Sequence, residues 1–474
     1  MFETVINNIK QNLTFMLAIP FILLGTGLYR AWIEILFISP HFDFATSAVE
    51  GFNVHDISMA LTLLICAALA KMLSPLFKKK YAYVLCTLCA LISSILKLSI
   101  LYIDYSSSQL VIVDVLSNIG GGFSTALLIL LWAELFSTLP PLKVAIAYTL
   151  SFLLGYALVH SLILLSFLGQ VIFTILLPLV SITMVYKSFT NIASDDLPPE
   201  RYESFPFPWK PVLMMMLFAF AYGLREQAMY QNIGPMSSLG LLLICSFVIL
   251  MLVILPDTHA SLKFLRYVLP GIAVIAIVGS FFSSDFYFSN IFLNISFNAF
   301  NIFIMLIFAN IAYRYGVSAL WLFGIERGIR ALTMVGSRYF SELVLTNSTI
   351  NQTFQTINPI IVTILLIAFS YLVINQQAKK DDWGLISSKK VITDPHMLER
   401  ARIAALVDDA SETYQLTPRQ TEVFELLIKG KSINEIQTIL VIAKGTAKAH
   451  LSNIYQKVGV SSKEELLAKF NPVT

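Results

Sequence analysis

The sequence predicts an all-α protein in two unequal parts. A polytopic membrane helical bundle of about twelve spans, six plus six, fills residues 1–375; a small helical domain fills residues 411–474; a polar linker at 376–410 joins them. Three observations lead there. Of 474 residues, 57% are hydrophobic and only 13% charged, with a mean hydropathy of +0.75, so most of the surface must face something other than water. Apolar runs of about 20 residues, the length that crosses a bilayer as a helix, recur about twelve times before residue 376. Beyond that point the composition turns polar.

The runs lie near 13–38, 55–77, 81–102, 110–137, 142–166, 168–186, 211–230, 238–255, 266–283, 286–313, 315–340 and 355–375. Positive residues collect in alternate connections: Lys10; Lys78, Lys79 and Lys80; Lys143; Lys187, Arg201 and Lys210; Lys263 and Arg266; Arg314; and the whole tail. The opposite connections carry Asp43, Glu50, Asp104 and Asp285. Lys and Arg mark the cytoplasmic side, so both termini are expected there. The first run is long and lacks a small-residue cleavage site, and is expected to stay as a span.

The longest polar break, 187–210, contains Asp195, Asp196, Pro198, Pro199 and Pro206 and divides the spans into six and six. GTGLYRAWIE in the first span and AYGLREQ in the seventh both place a glycine shortly before an arginine and a carboxylate. A six-loop-six arrangement with both ends inside resembles the major facilitator superfamily, whose halves are related by internal repetition.

Polar groups at membrane depth are costly, and they mark either internal pairing or function. Arg30 and Glu34 stand one turn apart, as do Glu326 and Arg330. Each couple either pairs within its helix or lines a cavity, where Arg225, Glu226, Asp114, Glu134 and Lys97 could join. Asn290, Asn294, Asn298 and Asn301 fall within about 80° of one another on a helix, a polar face that either bridges helices or lines a pocket. The candidate cavity for an unknown small-molecule ligand is therefore Arg30, Glu34, Arg225, Glu226, Asn294, Asn298, Asn301, Glu326 and Arg330, polar groups among apolar aromatics. Gly120, Gly121 and Gly122 lack the Lys-Ser/Thr of a phosphate loop and read as close helix packing. Cys86 and Cys89 form a C-x-x-C inside a span without a matching pair, so no metal and no cofactor are expected. His160, alone in an apolar run, reads as a core or cavity residue. No kinase, phosphate-receiver or hydrolase motif occurs, and no enzymatic activity is expected.

The linker begins KKDDWGLISSKK and is followed by a helix from about Pro395 to Ala410. Roughly 20 extended residues reach up to about 65 Å, enough for the tail to stand well clear of a membrane. In the tail, Thr417 and Pro418 form a cap and first-turn proline ahead of Val423, Phe424, Leu426 and Leu427 at helical spacing. Gly430 ends that helix. A second runs from about Ser432 to Leu440, a third from about Gly445 to Val458, and a fourth from about Ser461 to Phe470. The third carries Lys448 and Lys457, follows Lys444, and has no acidic residue.

Leu416, Thr417, Pro418, Arg419, Val423, Leu427, Gly430, Glu435, Ile436, Leu440, Thr446, Lys448, His450, Ile454, Lys457, Gly459 and Val460 have the order and spacing of a LuxR/NarL/FixJ-type helix-turn-helix, which the tail closely resembles. The resemblance implies binding of double-stranded promoter DNA with the third helix in the major groove, Lys448, Ala449 and Ser452 facing bases, and a homodimer through the fourth helix. Lys444, Thr446, His450 and Lys457 are expected to contact phosphate or to hold the helix in register. The departures are Ala443 in place of a capping serine, Gln420 in place of a glutamate, and Gln437 in place of a small alanine. Together the parts predict a membrane-bound one-component transcriptional regulator in a bacterial cytoplasmic membrane. Two readings stay open beside it: a secondary transporter with an autoregulatory or tethering DNA-binding tail, and a membrane anchor without a sensory role.

Overall fold

A computed structural model describes residues 2–38, 49–190, 192, 197–198, 205–233, 239–255, 257–283, 285–346 and 395–470. All regular structure among them is helical. The long part contains α1 (Phe2–Leu17), α2 (Gly25–Ile33), α3 (Val49–Ala68), α4 (Ala70–Leu73), α5 (Lys80–Ser99), α6 (Ser107–Phe136) and α7 (Pro141–Leu162). It continues with α8 (Phe167–Phe189), α9 (Trp209–Ile233), α10 (Leu239–Ile254), α11 (Thr258–Lys263), α12 (Leu269–Phe282), α13 (Phe286–Tyr315) and α14 (Ala319–Thr346). The tail adds α15 (Pro395–Thr413), α16 (Pro418–Ile428), α17 (Ile433–Leu440), α18 (Lys444–Val458) and α19 (Lys463–Phe470).

Each of the first eleven apolar runs coincides with helix; the twelfth, 355–375, lies outside the described residues. Among the described residues, 7 helical stretches are long and apolar enough to cross a membrane, from Phe21–Ile38 to Tyr287–Tyr315. The helices α9 and α14 have the length but carry the charges that the sequence singled out. Two expected runs are corrected. The run 13–38 is not a single helix, because Pro20, at φ −60° and ψ 131°, separates α1 from the stretch Phe21–Ile38. Proline has no N–H for the helical ladder, so α1 stops short and stands as a separate element. Similarly the run 55–77 breaks after Ala68.

Packing follows from residue size. Trp32, Trp132, Phe136, Phe300, Phe308 and Phe323 are fully buried in the bundle. Glycines let backbones cross closely between them: a Cβ on Gly27 would lie 2.2 Å from the Ser151 carbonyl oxygen, and one on Gly122 2.3 Å from that of His55. Gly121 and Gly122 thus serve helix packing, as the missing lysine and hydroxyl implied. On the outside, Val84, Leu88, Ile92 and Ile95 form an exposed apolar stripe along α5, the face a lipid tail would cover. His160 is also exposed and stacks on Tyr156, so it is not a core residue.

Two of the buried charges, Lys97 and Glu134, are consumed by the fold. Lys97 on α5 pairs with Asp114 on α6. Glu134 accepts the backbone N–H groups of Leu76 and Phe77 at 2.9 and 2.7 Å, holding the turn before α5 against α6. The tail has a small core of its own: Leu416, Phe424, Leu427, Ile436, Ile454 and Leu466 are buried together, with Val407 and Ala410 of α15 packed among them.

Candidate functional site

The tail helices begin and end on local signals. Thr417 Oγ1 accepts the Gln420 N–H at 3.5 Å while Gln420 Oε1 accepts the Thr417 N–H at 3.1 Å, a reciprocal cap that glutamine supports as glutamate would. Ser432 and Glu435 repeat it on α17, with the Ser432 N–H donating to Glu435 at 2.7 Å. Val441, at φ 51°, makes the turn between α17 and α18, and Gly459, at φ 74°, ends α18. Ala443 caps α18 without a side-chain hydrogen bond, as its identity requires. Gln437, standing where a small residue would fit, leaves its Nε2 buried without a hydrogen-bond partner.

Ala447, Ile454 and Val458 anchor α18 in the tail core. Lys444, Thr446, Lys448, Ala449 and Ser452 are exposed, with Lys444, Lys448 and Ser452 at successive four-residue steps on one face. His450 is half-buried, and burial together with the Arg419 guanidinium holds its imidazole below the usual range, so it carries no charge at neutral pH. The ammonium of Lys457 donates to the Gln415 carbonyl at 2.7 Å and to Gln420 at 2.9 Å, tying α18 to the start of α16. Arg419 donates to the Leu440 carbonyl at 2.7 Å and clamps α16 to the end of α17.

Inside the bundle the expected cavity residues divide into two clusters. In the first, the asparagine stripe of α13 is a ladder: Asn298 donates to the Asn294 carbonyl at 2.8 Å and Asn294 to Asn290 Oδ1 at 2.9 Å. Arg30 of α2 donates to Asn298 Oδ1 at 3.3 Å and lies over the Phe152 ring at 4.1 Å, rather than turning to Glu34. On α14, Arg327 donates to Asn301 Oδ1 at 2.9 Å and to the Tyr148 hydroxyl at 3.4 Å. Arg330 donates to the same Asn301 oxygen. Glu326 lies 3.3 Å from Arg327 Nε and 3.7 Å from Arg330 Nε, so the pairing within α14 is present. Arg225 and Glu226 are directed elsewhere. Arg225 donates to Ser289 Oγ at 2.9 Å, and Glu226 accepts from Arg338 Nε at 2.6 Å. Arg338 also reaches Asp56 Oδ2 at 2.8 Å and Asn53 Oδ1 at 3.0 Å, joining α3, α9 and α14.

The tail is seated on one end of the bundle. Lys143 at the start of α7 lies 3.3 Å from Glu422. His259 lies 3.1 Å from Glu412, with Lys263 at 4.0 Å. Arg314 at the end of α13 pairs with Asp408, and the Tyr313 hydroxyl donates to Glu425. The hydroxyls of Thr258 and Thr421 meet at 3.1 Å. Basic groups on the bundle thus face acidic groups on α15 and α16. Burial pushes the Asp408 carboxyl up in spite of Arg314.

Residues 414–470 match the family model of bacterial regulatory proteins, luxR family. Over 54 residues the chain is 41% identical to the spore germination protein GerE of Bacillus subtilis (strain 168), covering 11% of this chain and 73% of that protein. The chain belongs to the LuxR family of bacterial regulatory proteins. Its larger part is similar to two crystal structures of a bacterial homologue of the iron transporter ferroportin in an outward-facing state. One is at TM-score 0.49 and 13% identity over 76% of this chain and 99% of that one. The other, with soaked iron, is at 0.49 and 12% over 74% and 98%.

The LuxR-family domain carries all seven residues that the sequence assigned to DNA. Five of them project freely into solvent from α18 and its first turn, His450 is half-buried, and Lys457 is exposed with its ammonium tied to Gln415 and Gln420. In the bundle, Arg30, Asn294, Asn298, Asn301, Glu326 and Arg330 come together, and Arg225 and Glu226 do not join them. Sequence reasoning missed Arg327, Arg338, Asn53 and Asp56. The signal was present: Glu326, Arg327, Arg330 and Arg338 fall within about 120° on one helix at 100° per residue, and Asn53 and Asp56 are three residues apart on another.

Proposed function

We infer that the protein is a membrane-bound one-component transcriptional regulator, in which the helical bundle senses a small molecule and the LuxR-family domain binds promoter DNA. The setting is a bacterial cytoplasmic membrane with both termini in the cytoplasm, and the DNA-bound form is a dimer through α19. What carries the reading is the seat of the LuxR-family domain on the bundle end: Lys143, Arg314 and His259 meet Glu422, Asp408 and Glu412. A ligand that binds two arrangements of the bundle unequally shifts the population of seated domains, and with it access to DNA. Such couplings amount to about 1–3 kcal/mol, or roughly 5–150-fold in affinity.

The seat is tested by charge exchange. Arg314→Glu and Asp408→Arg each place like charges face to face, and the double variant restores the pair. Chromatin immunoprecipitation with sequencing should show promoter occupancy altered several-fold in both single variants and returned towards the parent in the double. Equal occupancy in all four proteins would separate the bundle from DNA binding and favour an anchor. The secondary-transporter reading draws on the same buried polar cluster of α2, α13 and α14; uptake of a labelled solute into vesicles, abolished in Glu326→Gln, would favour it.

The α18 face gives a second expectation. Lys444→Ala weakens binding to all sequences alike and lowers the salt slope by about 1, as loss of one phosphate contact does. Lys448→Ala costs about 1–3 kcal/mol and relaxes preference at one operator position. His450→Gln leaves the salt slope unchanged at neutral pH, because the imidazole is uncharged there. Fluorescence anisotropy on the full-length protein in nanodiscs, over a salt series, checks all three. An unchanged slope in Lys444→Ala would remove it from the phosphate contacts.

A further inference from the structure

We propose that the arginine cluster between α2, α13 and α14 is an anion-binding site, and that its ligand is an organic anion, a carboxylate or phosphate ester with an apolar body. The proposal rests on the reading above that the bundle recognises a small molecule, and it names the chemistry of that molecule. Arg30, Arg327 and Arg330 all donate to the asparagine face of α13, and Glu326 lies within ion-pair distance of the last two. Among these four residues three guanidinium groups stand against one carboxylate, two positive charges in excess. Excess like charge at such depth is costly, and a protein retains it where a ligand supplies the missing charge.

The hydrogen bonding points the same way. Each guanidinium offers five N–H donors, but the acceptors they meet are the side-chain oxygens of Asn298 and Asn301 and the Tyr148 hydroxyl. Arg327 and Arg330 converge on a single neutral oxygen, that of Asn301. Arg327 Nε is buried and has no hydrogen-bond partner, although Glu326 is 3.3 Å away. Two cations directed at one amide oxygen, with a buried donor left over, form a cradle for an oxyanion: bidentate donation from a guanidinium fork is the geometry carboxylate and phosphate select. The walls suit an apolar body. Arg30 lies over Phe152 at 4.1 Å and Arg330 stands 6.0 Å from the Phe297 ring, so aromatic surface adjoins the charged end.

The test uses the full-length protein in lipid nanodiscs and chloride-free buffer. Its unfolding temperature is followed with benzoate, inorganic phosphate or neutral benzamide at equal concentration. Benzoate is expected to raise it by about 3 °C or more at saturating concentration, benzamide to leave it unmoved, and Arg330→Gln to abolish the shift. Without any added anion, Arg330→Gln is expected to unfold at a higher temperature than the parent, since it relieves repulsion that a binding site tolerates and a structural one does not. A more stable Arg330→Gln protein upholds the site whichever anion fits it, and a shift with phosphate alone assigns the ligand to the phosphate esters. Stabilisation by benzamide equal to that by benzoate overturns the proposal. So does an Arg330→Gln protein less stable than a parent that responds to neither anion. Retention of sheared genomic DNA by the same nanodiscs, with and without the stabilising anion, separates this inference from the sensor reading: an anion shift with unchanged DNA retention keeps the site and removes its regulatory role.

Discussion

Phe424→Ala is expected to abolish DNA binding while leaving the protein in the membrane. The side chain is fully buried in the core of the LuxR-family domain, and its ring meets that of Phe470 edge-on at 5.1 Å between centroids. Truncating a buried phenylalanine to alanine costs about 3–5 kcal/mol, part transfer and part cavity. A domain of some 57 residues, at roughly 0.05–0.15 kcal/mol per residue, holds about 3–9 kcal/mol in total. The loss is thus comparable with the whole stability of the domain, and α18 loses the platform that Ala447, Ile454 and Val458 require. The bundle has a separate core and is unaffected. Limited proteolysis of membranes should show the tail degraded and the bundle intact, with DNA retention lost. A tail that stays protease-resistant and binds DNA would mean that the core collapses around the gap.

The two parts of this chain were unequally legible, for a physical reason. Helix ends in the tail are set by residues a few positions apart, and Thr417, Pro418, Gly430 and Gly459 announce them locally, so its four helices fall within one or two residues of expectation. The rest of that domain was legible as a spaced pattern of many positions. In the bundle, hydropathy marks where helices run and periodicity marks which faces are polar, and the asparagine stripe of α13 was readable in this way. Neither signal says which faces meet. Arg30 finds Asn298 across 268 positions of chain and Arg338 finds Asp56 across 282. Partners so distant are chosen by the packing of whole helices, so Arg225 and Glu226, neighbours in sequence, enter different contacts from the residues they were grouped with. The seat of the LuxR-family domain illustrates the same limit. Lys143, Lys263 and Arg314 were legible as basic connections that set orientation, whereas their acidic partners on α15 and α16 became visible only in three dimensions.

Arg338→Ala is expected to destabilise the bundle more than any other single change among its charged residues. Arg338 is 1% exposed and donates from Nε to Glu226 at 2.6 Å and from Nη1 to Asp56 at 2.8 Å and Asn53 at 3.0 Å. One planar group therefore satisfies two buried carboxylates from two other helices. Removing it takes the guanidinium from both carboxylates, with the His55 imidazole still 3.4 Å from Asp56, and breaking a buried pair in this way costs about 3–5 kcal/mol. The charge itself is not sufficient: Arg338→Lys keeps it, but an ammonium on a flexible stem cannot reproduce the directed fork, so a partial loss is expected. Neutralising the whole cluster, with Arg338→Met, Glu226→Gln and Asp56→Asn together, should recover much of the stability, because no uncompensated charge remains and the amides can pair with one another. Thermal unfolding of the four proteins in nanodiscs makes the comparison. If Arg338→Ala costs less than about 1 kcal/mol, the value expected of a solvated pair, water must reach the cluster, and the joint between α3, α9 and α14 is an opening of the bundle rather than a brace.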